Sequence, residues 1–484
     1  MASLDPLFEL IHSLKKEEKR HFRLFVKKYE KSSNYLLLFD ALEAMATYSG
    51  SELREKCSGM HFTQRLSVAK EYLHSLILRS LRDLEPKTTE DKVRKLIQDI
   101  KLLLDRRLYA QAKKRIVKAE KLAAEYDLIG ERFTITDLKG YLPDAERALL
   151  FEEIRQNIKT AHDLFEAGCF AEDLRVFRET KGLIRTEEDK KELEAILSKY
   201  SFPEPESLPP GAKIRYHFGW ARYYDTVEDL EKAQEHEIAI AETYLANSSH
   251  IESEQLGYIL ALLNICSKSL KLHQRESINK YLELLHSVEV QAPITPYHDM
   301  LLFRFEILDA IYLHDWVKIS RLHKVFPQLL EQYKDELNAF GKDIRIEYYL
   351  YFAKAFFLQK KFEQALEEVT ALLQLSTLSA SPYQENNARI LLLIIHFELG
   401  NRSYLPYLIR STYRFFLRRE RLFQFESIVL HYLRSLAFVK SKKDTRISFE
   451  KLLDQLQALS NQPIDREFPW REFYIEWLKS KKIV

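Results

Sequence analysis

Glycine is scarce in this chain, 11 of 484 residues, roughly 2% where soluble proteins average about 7%. No two glycines lie closer than eight residues. That spacing removes the G-x-G-x-x-G and G-x-x-x-x-G-K-[ST] phosphate cradles and the G-x-S-x-G nucleophile elbow. Cysteine is scarcer still. Cys57, Cys169 and Cys266 are odd in number and about a hundred residues apart, a pattern of neither a disulfide framework nor a thiolate metal site, and one at home in a reducing compartment. Long apolar runs are also lacking. The longest uncharged stretch, residues 369–384, is studded with Thr, Ser, Gln and Pro and falls short of the roughly 18 apolar residues of a membrane span. Asp5 and Glu9 precede the first lysine, Lys15, so the start does not read as a secretory signal. The expected location is cytoplasmic. Net charge is nearly absent too: 74 basic against 72 acidic residues leave +2, so any charged binding site must be local.

What remains is abundant apolar and charged residue, 46% and 30% of the chain, the composition of long amphipathic helices. From Leu4 to Leu84 the pattern predicts four or so helices, separated near 31–33, 48–50 and 58–61. Phe22, Phe25, Val26 and Tyr29 recur at spacings of three and four, as do Tyr35, Leu38, Phe39 and Leu42. Pro86 and the polar residues after it mark a boundary. Pro203, Pro205, Pro209, Pro210 and Gly211 form the strongest break, because proline removes a helical donor and clashes with the preceding turn. Pro293 and Pro296 mark a milder one.

Between these breaks a helical hairpin recurs. In a tetratricopeptide unit, small residues let two helices approach closely and a large apolar residue follows the turn. Tyr349, Phe352, Ala353, Phe356, Phe362 and Ala365 stand at that spacing. Leu96, Ile100, Leu103, Tyr109, Ala112, Ile116 and Ala119 supply a second copy. His217, Trp220, Ala221, Tyr224, Leu230 and Ala233 supply a third, and Ala161, Leu164, Gly168, Phe170 and Leu174 a partial one. Weaker hairpins are expected around 256–285, 303–330 and 390–416. The expected fold class is therefore all-α. A helical N-terminal domain (1–86) precedes an irregular tetratricopeptide-like α-solenoid (87–202 and 212–484), whose aromatic C-terminal helix, with Phe473, Tyr474 and Trp477, caps the stack.

The segment Ser13-Leu-Lys-Lys-Glu-Glu-Lys-Arg-His-Phe-Arg-Leu-Phe, with Asn34-Tyr-Leu-Leu-Leu-Phe-Asp-Ala and Glu71-Tyr-Leu-His-Ser-Leu-Ile-Leu-Arg-Ser-Leu-Arg, resembles the start of a family of uncharacterised bacterial helical-repeat proteins of similar length. The resemblance covers the first 85 residues and continues through the tetratricopeptide-like hairpins. It implies a bacterial cytoplasmic protein that binds a partner protein or peptide in a helical-repeat groove. It transfers no catalytic, cofactor or metal residue.

Reaction chemistry finds little support in the pattern. No two of the 15 histidines are closer than nine residues, whereas helical metal sites need imidazoles at i, i+3 or i, i+4. Glu-x-x-His occurs at Glu9/His12, Glu18/His21, Glu71/His74 and Glu283/His286; two such pairs with two further carboxylates build a di-iron centre in a four-helix bundle, but chance and solvated charge explain them as well. His-Asp dipeptides at His162, His298 and His314 lack partner histidines. The expectation is a non-enzymatic chain without cofactor or metal.

Charge is unevenly spread. Residues 404–446 carry ten basic against three acidic residues, and residues 222–254 carry two basic against nine acidic. Arg410, Arg414, Arg418 and Arg421 follow i, i+4, i+8, i+11 and stack four guanidiniums on one side of a helix. Like charges at that spacing repel; the stripe is either a solvated face, or is offset by the acidic 222–254 segment, or by an acidic or phosphorylated partner peptide. Arg410, Arg414, Arg418 and Arg421, with Tyr349 and Phe356 as aromatic groove lining, are the candidate partner-binding residues. The alternative reading is a nucleic-acid-associated transcriptional regulator using the basic run from Lys15 to Lys31. Its helix offers mainly Lys and Arg, which suit phosphates better than base edges.

Overall fold

The structure, a computed structural model, describes all residues except 1–4, 30–33, 59–64, 85–87, 292–293, 335, 337–344, 380–381, 420–421, 440, 460–470 and 483–484. Among the described residues there are 24 α-helices, one short 3-10 turn and no strand. No helix among them is long and apolar enough to cross a membrane. The chain divides into two compact units, Met1–Leu96 and Ile97–Val484.

The first unit holds α1 (Pro6–Ser13), α2 (Lys16–Tyr29), α3 (Asn34–Glu43), α4 (Gly50–Lys56) and α5 (Leu66–Leu84), and the division falls within α6 (Thr89–Asp105). Asp5 starts α1 by accepting the Leu7 and Phe8 N–H groups at 3.2 and 3.3 Å, the N-cap role suited to a short acceptor side chain. One break was not anticipated from the pattern. Leu14 is extended, and the Glu18 carboxylate accepts the Lys15 N–H at 2.7 Å, which restarts the helix as α2. Phe22 and Val26 of the predicted stripe pack with Leu38, Phe39 and Leu42 in one core.

The second unit continues with α7 (Tyr109–Glu125), α8 (Ile129–Lys139), α9 (Arg147–Lys181) and α10 (Glu187–Ser198). After the proline-rich break come α11 (Pro210–Thr226), α12 (Leu230–Ala246), α13 (Ser248–Ser253), α14 (Gln255–Lys271) and α15 (Arg275–His286). Pro210 opens α11 at its first position, where a missing N–H costs nothing. Then follow α16 (Thr295–Tyr312), α17 (Trp316–Gln332), α18 (Arg345–Leu358), α19 (Phe362–Ser379) and α20 (Pro382–Glu398). The last helices are α21 (Leu405–Arg418), α22 (Gln424–Phe438), α23 (Lys442–Leu459) and α24 (Arg471–Lys482). Hairpin partners pack on each other, α11 on α12, α14 on α15, α18 on α19 and α23 on α24, and α11 packs as extensively on α9 as on α12. Ala112, Ala119, Ala221, Ala233, Ala353 and Ala365 are all buried. The small side chains at the predicted positions are thus inside the packed structure.

The partial copy at 161–174 is corrected. Those residues all lie within α9, a single 35-residue helix. One glycine does not stop a helix; a turn needs a left-handed residue and new partners for the freed carbonyls.

The true turns share one geometry that residue types hid. Arg107, Asp127, Glu228, His273, His314, Lys360 and Gly400 have φ between +49° and +73°. In each case the following N–H returns to a carbonyl five residues earlier, as in Leu108 to Leu103, Asp229 to Tyr224, Gln274 to Ser269, Lys361 to Phe356 and Asn401 to His396, all at 2.8–3.0 Å. This is the Schellman closure of a helix C-terminus. From Glu228 onward the turns recur at 273, 314, 360 and 400, a period somewhat over forty residues.

Candidate partner-binding face

α21 is built to show two different sides. Leu405, Ile409, Thr412 and Phe416 are buried, at i, i+4, i+7 and i+11, so one stripe faces the core. The opposite side carries Tyr407, Arg410, Arg414, Leu417 and Arg418, all exposed. Tyr407 and Leu417 leave 66% and 56% of their surface in solvent, and the Tyr404 ring stacks on Tyr407 at 6.0 Å between centroids. The exposed tyrosines were missed by reasoning on charge alone, although they share the helix and its period with the arginines.

Neighbouring arginines show what a satisfied guanidinium looks like here. The buried Glu385 carboxylate accepts from Arg389 Nη2 at 2.9 Å and from Arg419 Nη1 at 2.7 Å. Both guanidiniums lie over the Phe415 ring, at 3.7 and 4.5 Å from its centroid, an arrangement in which ring quadrupole and carboxylate share the charge. Arg410, Arg414 and Arg418 make no ion pair among the described residues. Arg421 lies outside the described residues.

The two aromatic candidates sit elsewhere. Phe356 is 2% exposed, with its ring 4.9 Å from His323 and 6.5 Å from Phe352; it is part of the core rather than of an exposed lining. Tyr349 is half-buried with its ring edge on Phe326. Neither shares the exposed side of α21.

The acidic 222–254 segment has partners of its own. Asp225 and Glu237 hold the buried Lys268 ammonium at 3.1 and 3.5 Å, and Glu237 also accepts from Asn264 at 2.9 Å. Burial pushes the Glu237 carboxyl above its ordinary range. Asp229 caps α12 and pairs with Lys232, and Glu254 pairs with Arg215. In the basic run of the first unit, Lys19 reaches Glu43 at 3.3 Å and Arg23 reaches Asp40 at 2.9 Å, so part of its charge is already neutralised.

Several of the remaining sequence motifs have structural partners. His12 contacts the Leu42 carbonyl at 3.3 Å, His21 contacts Ser80 Oγ at 3.0 Å, and Glu18 caps α2. His298 lies 3.0 Å from Asp299, to which the Tyr333 hydroxyl also donates. Among the described residues no group of three or more His, Cys, Asp or Glu is placed to hold a metal ion. A histidine pair that no local spacing announced joins α11 and α12. One Nδ1–H of His217 and His236 donates to the other's Nδ1 at 2.8 Å, and burial lowers both rings to about 4. No protein-family model, curated protein or solved structure matches this chain.

Proposed function

We propose that this chain is a non-enzymatic interaction protein that captures an acidic or phosphorylated segment of a partner along the exposed side of α21. Its body is read as an irregular tetratricopeptide-like solenoid behind a helical N-terminal domain. The packing of hairpin partners, the repeated left-handed turn and the buried alanines support that reading. α24 serves as its terminal cap: Phe473, Tyr474 and Trp477 are buried, and Trp477 Nε1–H donates to Glu398 at 2.7 Å.

One observation carries the functional reading. Arg410, Arg414 and Arg418 stand exposed without ion pairs among the described residues, while Arg389 and Arg419 beside them share a buried carboxylate. Three like charges one turn apart cost a few tenths of a kcal/mol per pair, about what an opposite charge would return. Carboxylates or phosphates at matching spacing offset this through forked hydrogen bonds. Tyr407 and Leu417 add apolar area, and the positive side raises the association rate.

Fluorescence anisotropy with an acidic helical peptide, its phosphorylated form and a DNA duplex tests the reading. Arg414→Glu with Arg418→Glu is expected to abolish peptide capture and leave the helical circular dichroism unchanged. Capture that survives both reversals removes this face as the site. Tighter binding of the duplex, with a steep negative salt slope, favours the nucleic-acid regulator instead.

A further inference from the structure

α9 presents a second surface, independent of the arginine face. Its inner side gives Ala167, Phe170, Leu174 and Phe177 to the core. Its outer side leaves Phe151, Ile158, Phe165 and Val176 at 62%, 55%, 73% and 45% exposure. Exposed large apolar side chains scattered singly need no explanation, but aligned ones mark an interaction site. These are aligned. The outer positions fall at 151, 155, 158, 162, 165, 169, 172 and 176, and all are exposed. The alternating steps of four and three are the seam of a two-helix coiled coil.

We propose that two copies of this chain associate through this seam, α9 lying antiparallel to α9 about a two-fold axis between residues 163 and 164. The sequence of the seam is self-complementary about that point. Phe151 falls opposite Val176, Ile158 opposite Cys169, His162 opposite Phe165, and Arg155 opposite Glu172. A parallel arrangement instead sets Arg155 against Arg155 and Glu172 against Glu172, so repulsion selects the antiparallel one. Shifting the antiparallel register by one heptad loses the Arg155–Glu172 match and leaves an end residue uncovered. In the single chain Arg155 rests on Glu152 at 3.3 Å and Glu172 on Arg175 at 2.8 Å. Those side chains are exposed, and such pairs exchange partners at little cost. The paired length, 26 residues, spans about 39 Å at 1.5 Å per residue. A two-fold contact of this kind closes with two copies.

Sedimentation equilibrium on the full chain tests the proposal. The expected mass at tens of micromolar is twice 57.4 kDa, and Phe165→Lys, at a mostly exposed position, is expected to raise the dissociation constant at least 30-fold with the helical circular dichroism unchanged. Arg155→Glu weakens association, and adding Glu172→Arg restores it. Ile158→Cys places a thiol opposite the native, exposed Cys169, while Cys57 and Cys266 are buried. Mild oxidation then yields an intermolecular disulfide in Ile158→Cys and none in the wild type. A wild-type monomer across the concentration range, a dimer indifferent to Phe165→Lys, an assembly larger than two, or a Cys169–Cys169 disulfide in the wild type would each overturn it.

Discussion

A Cβ built on Gly219 would stand 2.3 Å from two ring carbons of Phe170. α11 approaches α9 so closely there that one absent carbon sets the distance. The Phe170 ring cannot swing aside, being hemmed by Tyr200, Phe202 and Trp220 at centroid distances of 5.3–5.5 Å. Gly219→Ala gains about 1 kcal/mol of helix propensity, against an overpacking cost of about 1–3 kcal/mol or more in a filled core. A lowered urea midpoint is expected; a raised one would mean that Phe170 has room to move. The sequence pattern placed the small residue at Ala221, which is indeed buried, but spacing could not tell which of the two meets the ring. The left-handed turn residues invite the opposite substitution. His273 and Lys360 have φ of +58° and +59°, where a side chain costs about 1–2 kcal/mol and glycine returns about 0.5–1 kcal/mol of that as lost backbone freedom. His273→Gly and Lys360→Gly are each expected to stabilise by about 0.5–1 kcal/mol, read by chemical denaturation.

At the scale of elements, helices and most hairpins were legible because their apolar period is local. The pairs α11–α12 and α18–α19 appear where His217–Ala233 and Tyr349–Ala365 place them, whereas for Leu96–Ala119 only the two helices α6 and α7 do. What was not legible depends on which faces meet. α9 runs through its glycine because Gly168 stays helical and lacks the left-handed φ of a turn. The His217–His236 pair is separated by 19 residues and exists only because the hairpin sets one ring against the other. Of the candidate face, the arginine period was visible, whereas the burial of Phe356 depends on α17 meeting α18 and the sharing of Glu385 on α20 meeting α21. The histidine pair also makes the hairpin acid-sensitive. A neutral ring pair shares one proton between two Nδ1 atoms; a doubly protonated pair sets two N–H groups against each other. With both rings lowered from 6.5 to about 4, the unfolded chain binds more protons between those values, so stability is intact above about pH 6.5 and falls as pH drops toward 4. The slope is at most about 1.4 kcal/mol per pH unit for each ring, less where solvent screens it. Urea titrations at pH 7, 6, 5 and 4 on wild type and on His217→Gln with His236→Gln measure this. The double variant should lose part of the decline, and identical profiles would assign the acid sensitivity elsewhere.

Across the whole second unit, one contact joins positions that no local pattern connects. Arg185, between α9 and α10, donates through Nη1 and Nη2 to both carboxylate oxygens of Glu426 at 2.7 and 2.9 Å, 241 residues away. Both side chains are buried, and the guanidinium lies 4.1 Å from the Phe423 ring centroid. Glu426 sits in the first turn of α22, where the helix macrodipole favours an anion. The clasp thus anchors the segment that immediately follows the arginine face to the beginning of α10. Its two halves have no sequence signature, since a lone arginine and a lone glutamate are among the commonest surface residues, and only the return of the chain upon itself pairs them. Forked geometry supplies specificity, but a buried pair is not necessarily more stable than an apolar replacement, whereas a broken one leaves a charge without water or partner. Arg185→Ala is therefore expected to cost about 3–5 kcal/mol in unfolding free energy and to speed amide exchange in residues 183–189 and the first turn of α22 ahead of α14 and α15. Arg185→Met with Glu426→Leu removes both charges and should recover most of the stability. If Arg185→Ala unfolds within about 0.5 kcal/mol of wild type, as a surface substitution would, the clasp contributes nothing to holding these two parts of the unit together.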